Sequence, residues 1–347
     1  MASVAAPHPL LALRGMPALR ERVEKRLLAA VESGDPAMSE MASHLVRAGG
    51  KRLRPLLGVV ASTAGREGGD GGTFDVGELV SDDAVTGGVV CELVHVGSLH
   101  HDDVIDEAGT RHGVDSVNAR WGNLRAILSG DFLLARASEL AAALGTDIAA
   151  LLAATIGRLC EGELRELQVA YQVERTDDDY LAAVEGKTAA LYATSCRIGG
   201  MISGLPADQV EALGSFGRHY GLAFQVVDDI LDVVARGDDL GKPAGHDIAE
   251  GIYTLPVLRA LAGPDGAELR SLLGGPLNAS SQARALALVR RGDGVAQAAA
   301  VADGHVDAAV ASLGPLSASP ATDALAASAR HLLTALDAAS AGPPVRQ

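Results

Sequence analysis

Asp102-Asp103-Val104-Ile105-Asp106 and Asp228-Asp229-Ile230-Leu231-Asp232 are the stretches on which the reading of this chain turns. Both have the form DDxxD. Each follows an apolar run, Cys91 to Leu99 for the first and Leu222 to Val227 for the second. Residues i and i+4 share a helix face, so Asp102 lies one turn from Asp106 and Asp228 one turn from Asp232. Apolar helices do not keep paired carboxylates without a strong reason. A single DDxxD reads equally well as a solvated helix face; two, in matching apolar settings, do not. Two such pairs facing each other across a cavity suit hard divalent cations. Magnesium takes oxygen ligands, keeps several waters, and is held by a few carboxylates together with substrate phosphates.

Composition agrees with a helical frame. Of 347 residues, 48% are hydrophobic and only 3% aromatic, with Ala and Leu prominent, which favours helix and leaves few strand-like runs. The formal charge of -15 argues against general nucleic-acid binding, which needs a basic footprint. A local phosphate site remains open to a chain of this charge, because clustered cations create one. Cys91, Cys160 and Cys196 are scattered and lack metal spacing, so they read as buried thiols in a reducing compartment. No apolar run is long enough for a transmembrane helix, and Met1 to Leu13 has no basic stretch before an apolar one, which argues against a signal peptide. A cytoplasmic protein is expected, with peripheral membrane contact if its product is greasy.

Along the chain, residues 1–17 and 341–347 read as loose ends around one helical domain, 18–340. Leu19, Val23, Leu27 and Val31 recur four apart as a helix stripe. Pro36 opens a helix that Gly49-Gly50 stops near Ala48, and Pro55 begins another running to about Ala64. Gly65 to Thr73 reads as an acidic loop. Helical patterns then cover about 78–106, 116–124, 127–144, 147–171, 177–185, 188–203 and 207–235. An Ala-rich, motif-poor tail follows, with helices near 265–274, 279–291, 293–313 and 320–339, suited to packing or dimer support. No repeat of twenty to fifty residues is present.

Other residues cluster around the aspartates. Lys51, Arg52 and Arg54 lie between a helix stop and a helix start, where cations oppose the helix dipole and an anion between them resolves the conflict. His95 precedes Asp102 by two turns on the same face, although alone it would read as a core histidine. Arg111 can reach a phosphate held at the first motif. Gly186-Lys187-Thr188 lacks the glycine spacing of a phosphate loop and reads equally as a helix start with a lysine nearby. Gln225 sits one turn before Asp228, and Lys242 lies in a turn just past the second motif.

Taken together, GGKRLRP (49–55), ELVHVGSLHHDDVIDE (92–107), GDFLLARA (130–137), GKTAALYATS (186–195), FQVVDDILD (224–232) and LGKPAGHDIAEGIYTLP (240–256) resemble the trans-prenyltransferase, or isoprenyl diphosphate synthase, family. The likeness covers roughly residues 20–260. It implies an all-α fold, a single large helical bundle around a central cavity, a homodimer, and magnesium-dependent condensation of isopentenyl diphosphate with an allylic diphosphate. Carried over by position, Asp102 and Asp106 ligate two magnesium ions and Asp228 a third, with Asp103, Asp229 and Asp232 in support. Arg111, Lys187 and Lys242 hold the allylic diphosphate. Lys51, Arg54 and His95 hold isopentenyl diphosphate, and Thr188 and Gln225 flank the allylic cation.

Three alternatives fit the same residues less well. A class I terpene cyclase would carry a different second metal motif. A non-catalytic subunit of a heteromeric synthase would have lost aspartates that are all present here. A histidine-aspartate hydrolase leaves the second DDxxD without a role. The family's usual Arg-Arg-Gly after the first motif is Arg111-His112-Gly113 here, which puts His112 where an arginine would meet isopentenyl diphosphate. Product length is read from the residues before Asp102: bulky side chains four and five places earlier stop the chain in short-chain members. Here Ser98 and Gly97 stand there, with Leu93 and Val94 one turn deeper, so the expected product is hexaprenyl or longer, with geranylgeranyl as second choice. The competing view of Gly97 is that it only permits close helix packing.

Overall fold

Helix starts follow local capping chemistry. The Asp35 carboxylate accepts the N–H groups of Ala37 and Met38 at 2.8 and 3.3 Å, and Pro36 fills the first helical position, where no N–H is needed. Ser81 caps the Asp82–Ile105 helix through Ala84 N at 3.1 Å, with Asp82 and Asp83 in the first turn where negative charge suits the dipole. Thr176 and Asp179 form a reciprocal capping box at the head of another.

The computed structural model describes residues 7–66, 73–234 and 244–341. In chain order the helices are α1 (Met16–Ala30), α2 (Pro36–Ala48), α3 (Leu53–Ala61), α4 (Val76–Leu79), α5 (Asp82–Ile105), α6 (Val117–Trp121), α7 (Asn123–Leu144), α8 (Thr146–Gln168), α9 (Asp177–Val184), α10 (Ala190–Ile202), α11 (Ala207–Val234), α12 (His246–Glu250), α13 (Leu255–Leu261), α14 (Gly266–Leu272), α15 (Ala279–Arg291), α16 (Gly294–Ser312) and α17 (Pro320–Ala341). A single π-turn, Glu185–Ala189, joins α9 to α10. The all-α expectation holds, with one small addition: β1 (Thr110–Arg111) and β2 (Val114–Asp115) pair as an antiparallel hairpin just past the first aspartate motif.

The two motif-bearing helices are the axes of the bundle. α5 packs along α7 and against α3 and α10, while α11 packs along α10 and α16. The Ala-rich tail thus supports the helix that carries the second motif. No helix among the described residues is long and apolar enough to cross a membrane.

The structure departs from sequence expectation at several points. The N-terminal segment is not loose throughout, because Pro9–Ala12 forms a 3-10 turn whose Leu10 is buried in the core. Residues 341–347 lie beyond the described body except Ala341, which ends α17. Cys160 is exposed on α8, unlike the buried Cys91 and Cys196. The short helices α12 and α13 escaped the sequence periodicity because each is under eight residues. Most of the loop read at Gly65 to Thr73 falls outside the described residues.

Gly97 turns away from the cavity. A Cβ there would meet Gly130 O at 3.2 Å and Leu133 Cβ at 3.3 Å, so this glycine serves the α5–α7 contact. Gly199 does the same for α3 and α10: its Cβ would come within 2.2 Å of Gly58 O. Gly199→Ala should therefore cost about 1–3 kcal/mol through overpacking, read as a lower urea midpoint at unchanged slope.

Candidate active site

Both aspartate clusters sit at helix C-termini. Asp106 caps the end of α5, its N–H bonded to Asp102 O at 2.8 Å, and Asp228 to Asp232 occupy the last turns of α11. Carboxylates oppose the dipole at that end of a helix, where cations are favoured. The two ends open onto one cleft of two lobes. A polar lobe of about 570 Å³ is lined by Asp106, Glu166, Tyr180, Asp229, Asp247 and Glu250, among others. A more apolar lobe of about 590 Å³ is lined by Ser98, Leu99, Leu159, Leu164, Leu167 and Phe224, with Asp102 and Asp228 at its polar end. Asp106, Arg111, Lys187, Thr188 and Gln225 border both lobes and form the waist between them.

Each waist residue is held by named partners. Arg111 grips Asp103 Oδ1 through Nε at 2.7 Å and Nη2 at 2.6 Å, and the β1–β2 hairpin carries that arginine. Asn118 donates to Asp103 O at 2.8 Å, which anchors α6 against the motif. Lys187 rises from the π-turn between Glu163 Oε2 at 2.7 Å and Glu166 Oε2 at 2.6 Å. That position needs close backbone approach, since a Cβ on Gly162 would lie 2.3 Å from Lys187 N. Thr188 donates to Gln225 Oε1 at 2.9 Å, Gln225 donates to Asp229 Oδ1 at 2.8 Å, and Tyr180 donates to Asp229 Oδ2 at 2.6 Å.

Among the cations expected to meet isopentenyl diphosphate, Arg54 lines the apolar lobe and stacks over the Tyr192 ring at 4.5 Å, with its Nε buried and lacking a protein partner. His95 lines the same wall. Lys51 is exposed on the approach to α3 and does not border either lobe. Arg52 is spent on the fold: it is buried between Glu24 at 2.8 Å and Glu92 at 2.9 Å. His112 is an exposed residue at the tip of the hairpin in a left-handed conformation, φ 52°, and it borders neither lobe. Leu93 and Val94 are fully buried in the core, and neither borders the apolar lobe, which Ser98 does. Lys242 lies outside the described residues. Asp232 accepts His246 N at 3.3 Å and so ties α12 to the second motif.

Residues 35–289 match the sequence profile described as polyprenyl synthetase. The chain belongs to the polyprenyl synthetase family. Within that family it is 42% identical over 281 residues to a nonaprenyl diphosphate synthase of Mycobacterium tuberculosis, covering 80% of each chain. It is 37% identical to a heptaprenyl diphosphate synthase component 2 of Geobacillus stearothermophilus, covering 83% of this chain and 87% of that one. A polyprenyl synthase of Caulobacter crescentus, solved with calcium and isoprenyl diphosphate, superposes with a TM-score of 0.84 at 30% identity over 94% of this chain and 97% of that one. This polyprenyl synthetase family member is a prenyltransferase.

The electrostatics of the cleft call for cations. Burial raises Asp102 to about 7, with Glu163 and Asp106 adding to the rise and Lys187 opposing it. Burial likewise lifts Asp229 to about 7, and lifts Asp247 well above the usual carboxylate range with help from Asp229, Asp232 and Asp228. Burial alone would lower Lys187, but Glu166 and Glu163 reverse that and hold it charged. Asp103 Oδ2 is buried with no protein partner. No three His, Cys, Asp or Glu side chains among the described residues converge as a ready-made metal cage. Residues that the sequence reading missed are Glu163, Glu166, Tyr180, Arg175 and Asp247. Asp247 lay within a quoted motif, but Glu163 and Glu166 carried only an i, i+3 spacing on an otherwise charged helix.

His95, His100 and His112 are all shifted toward the neutral form. Burial, then Arg54 and His112, hold His95 well below its ordinary value, and burial, Arg111 and Arg52 lower His112. His100 is fully buried, its Nδ1 2.8 Å from Ser129 Oγ, and burial lowers it to about 3. A base with a depressed folded pKa stabilises the fold above its unfolded value of about 6.5, and that stability drains away as pH falls. Between pH 6.5 and 5, His100 should account for roughly 2 kcal/mol of lost stability at about 1.4 kcal/mol per unit. Urea titrations of wild type and His100→Asn across that range should show the variant losing less.

Proposed function

We propose that this chain is a long-chain trans-polyprenyl diphosphate synthase, condensing isopentenyl diphosphate head-to-tail with an allylic diphosphate to give an all-trans product, hexaprenyl or longer. The observation that carries the reading is the two-lobed cleft: a carboxylate-rich lobe fit for metal-bound diphosphate, joined through a cationic waist to an apolar lobe fit for a growing hydrocarbon. Relatives named for nonaprenyl, heptaprenyl and octaprenyl products support the long-chain assignment.

In this reading Asp102, Asp106 and Asp228 hold magnesium, three ions with substrate bound, while Asp103, Asp229, Asp232 and Asp247 fix the ligands or their waters. Divalent ions supply electrostatic stabilisation to the departing diphosphate. Arg111 and Lys187 add fixed positive charge at the waist, and Lys242 is assigned there from its motif alone. Thr188 and Gln225 face the carbon that ionises. Arg54 and neutral His95 bind isopentenyl diphosphate with Lys51 and His112 at the entrance, and holding the double bond against the cation is a positioning task. The walls of the apolar lobe exclude water from the carbocation. The released diphosphate is the base assigned to take the final proton, since among the described residues the waist side chains Thr188 and Gln225 are not bases.

Exposed Leu124, Ile127 and Leu128 on α7, which border neither lobe, form the face assigned to a second copy in a homodimer. A cytoplasmic enzyme that meets the membrane surface to release product completes the proposal.

Incubating the purified chain with magnesium and the two diphosphates, then sizing the product, tests this directly. Turnover should vanish with a chelator, and Asp102→Ala or Asp228→Ala should lose on the order of 10²–10³-fold with helicity intact. Near-normal turnover in either variant removes that aspartate from the metal site.

Chain length has its own test at Ser98, which borders the apolar lobe where Gly97 does not. One helical turn advances about 5.4 Å, close to one extended isoprene unit. Ser98→Phe should shorten the product by at least one unit. Wild-type products that end at farnesyl would refute the long-chain assignment.

A further inference from the structure

The hydrogen bonds at the waist form a directed chain. Asp229 is 4% exposed and accepts on both oxygens, from Tyr180 and from Gln225. A carboxylate only accepts, an amide NH₂ only donates, and an amide oxygen only accepts. Asp229 therefore fixes which way Gln225 points: NH₂ toward the carboxylate, oxygen toward Thr188. Thr188 then uses its one proton on Gln225 Oε1 at 2.9 Å, and what its oxygen offers the cleft is lone-pair density. That is the polarity a developing allylic cation favours. Were Asp229 to turn, the amide could flip and present the Thr188 proton instead.

Tyr180 holds Asp229 directly, and Arg175 lies over the Tyr180 ring behind it. Tyr180, 2% exposed on α9, donates to Oδ2 at 2.6 Å. Arg175, 7% exposed, sits 5.5 Å from the Tyr180 ring centre and donates to Tyr253 O at 3.2 Å, while its Nε and Nη2 have no protein acceptor. A buried guanidinium with unused donors is costly unless nearby negative charge offsets it, and here the neighbours are Glu166 and Asp229.

We propose that Tyr180 and Arg175 are positioning residues for the ionisation step, setting the direction of Gln225 and Thr188 through the buried Asp229 carboxylate; this rests on the prenyl-transfer reading of the cleft.

The test is a double-mutant cycle on the full chain with magnesium and both diphosphates. Tyr180→Phe removes one hydroxyl and keeps the ring. Its kcat should fall about ten-fold or more, with both KM values within about three-fold, because the defect lies in the transition state. In a Thr188→Val background the same change should cost less than about two-fold, since the chain no longer ends in a hydroxyl. A packing role would give equal losses in both backgrounds, and that result, or wild-type kcat in Tyr180→Phe, overturns the proposal. Arg175→Lys should keep most of the turnover that Arg175→Met loses, and equal turnover in the two would remove Arg175 from the assignment. Absence of turnover in the wild type itself would instead sink the prenyl-transfer reading.

Discussion

Negative charge gathered at the C-terminal ends of two central helices is the constraint around which this fold is arranged. Asp102 and Asp106 close α5, and Asp228 to Asp232 close α11, so carboxylates add to the negative pole of each dipole. Left alone, such an arrangement destabilises the folded chain. Part of the compensation is internal: Arg111 clamps Asp103, and Lys187 stands between Glu163 and Glu166. The remainder is left uncompensated, and burial lifts Asp102 and Asp229 to about 7. On the proposed reading, metal-bound diphosphate relieves that strain when it binds.

The secondary structure around the cleft serves this one arrangement. The π-turn at Glu185–Ala189 offsets Lys187 and Thr188 from the regular helical path, so that both reach the waist from the end of α9. The small hairpin after α5 turns the chain back sharply enough for Arg111 to meet the carboxylate eight residues before it. Apolar and polar lobes then meet along a line of side chains rather than across a gradient. On the proposed reading, a hydrocarbon lengthens on one side while its diphosphate stays on the other.

Most of the helical frame was legible in the sequence, because Pro36, Gly49 and the four-residue apolar stripes act through local physics. The aspartate pairs, Gln225 and His95 were legible for the same reason: helical spacing places them on one face without knowledge of the rest of the fold. What stayed hidden depends on contacts across the bundle. Gly97 looked like an open floor because sequence cannot show that Gly130 O lies against it. Nothing in the sequence set Arg52 apart from its neighbours Lys51 and Arg54 as the cation that Glu24 and Glu92 claim for the fold. Tyr180 and Arg175 carried no signal, since a buried hydroxyl aimed at a carboxylate forty-nine positions later has no periodicity to betray it.

The division of labour among the basic groups follows from the same electrostatics. Lys187 remains charged because Glu166 and Glu163 offset its burial, and Arg111 is paired with Asp103. His95 and His100, on the same helix as the first motif, are turned toward apolar or cationic neighbours, and burial keeps them neutral. A neutral imidazole in the wall of the apolar lobe can orient a diphosphate oxygen by hydrogen bonding without adding a second cation next to an allylic carbocation, whose positive charge would be destabilised by it. On the proposed reading, Arg111 and Lys187 place fixed charge at the waist beside the leaving group, and the neutral imidazole adds none to the wall that receives the hydrocarbon.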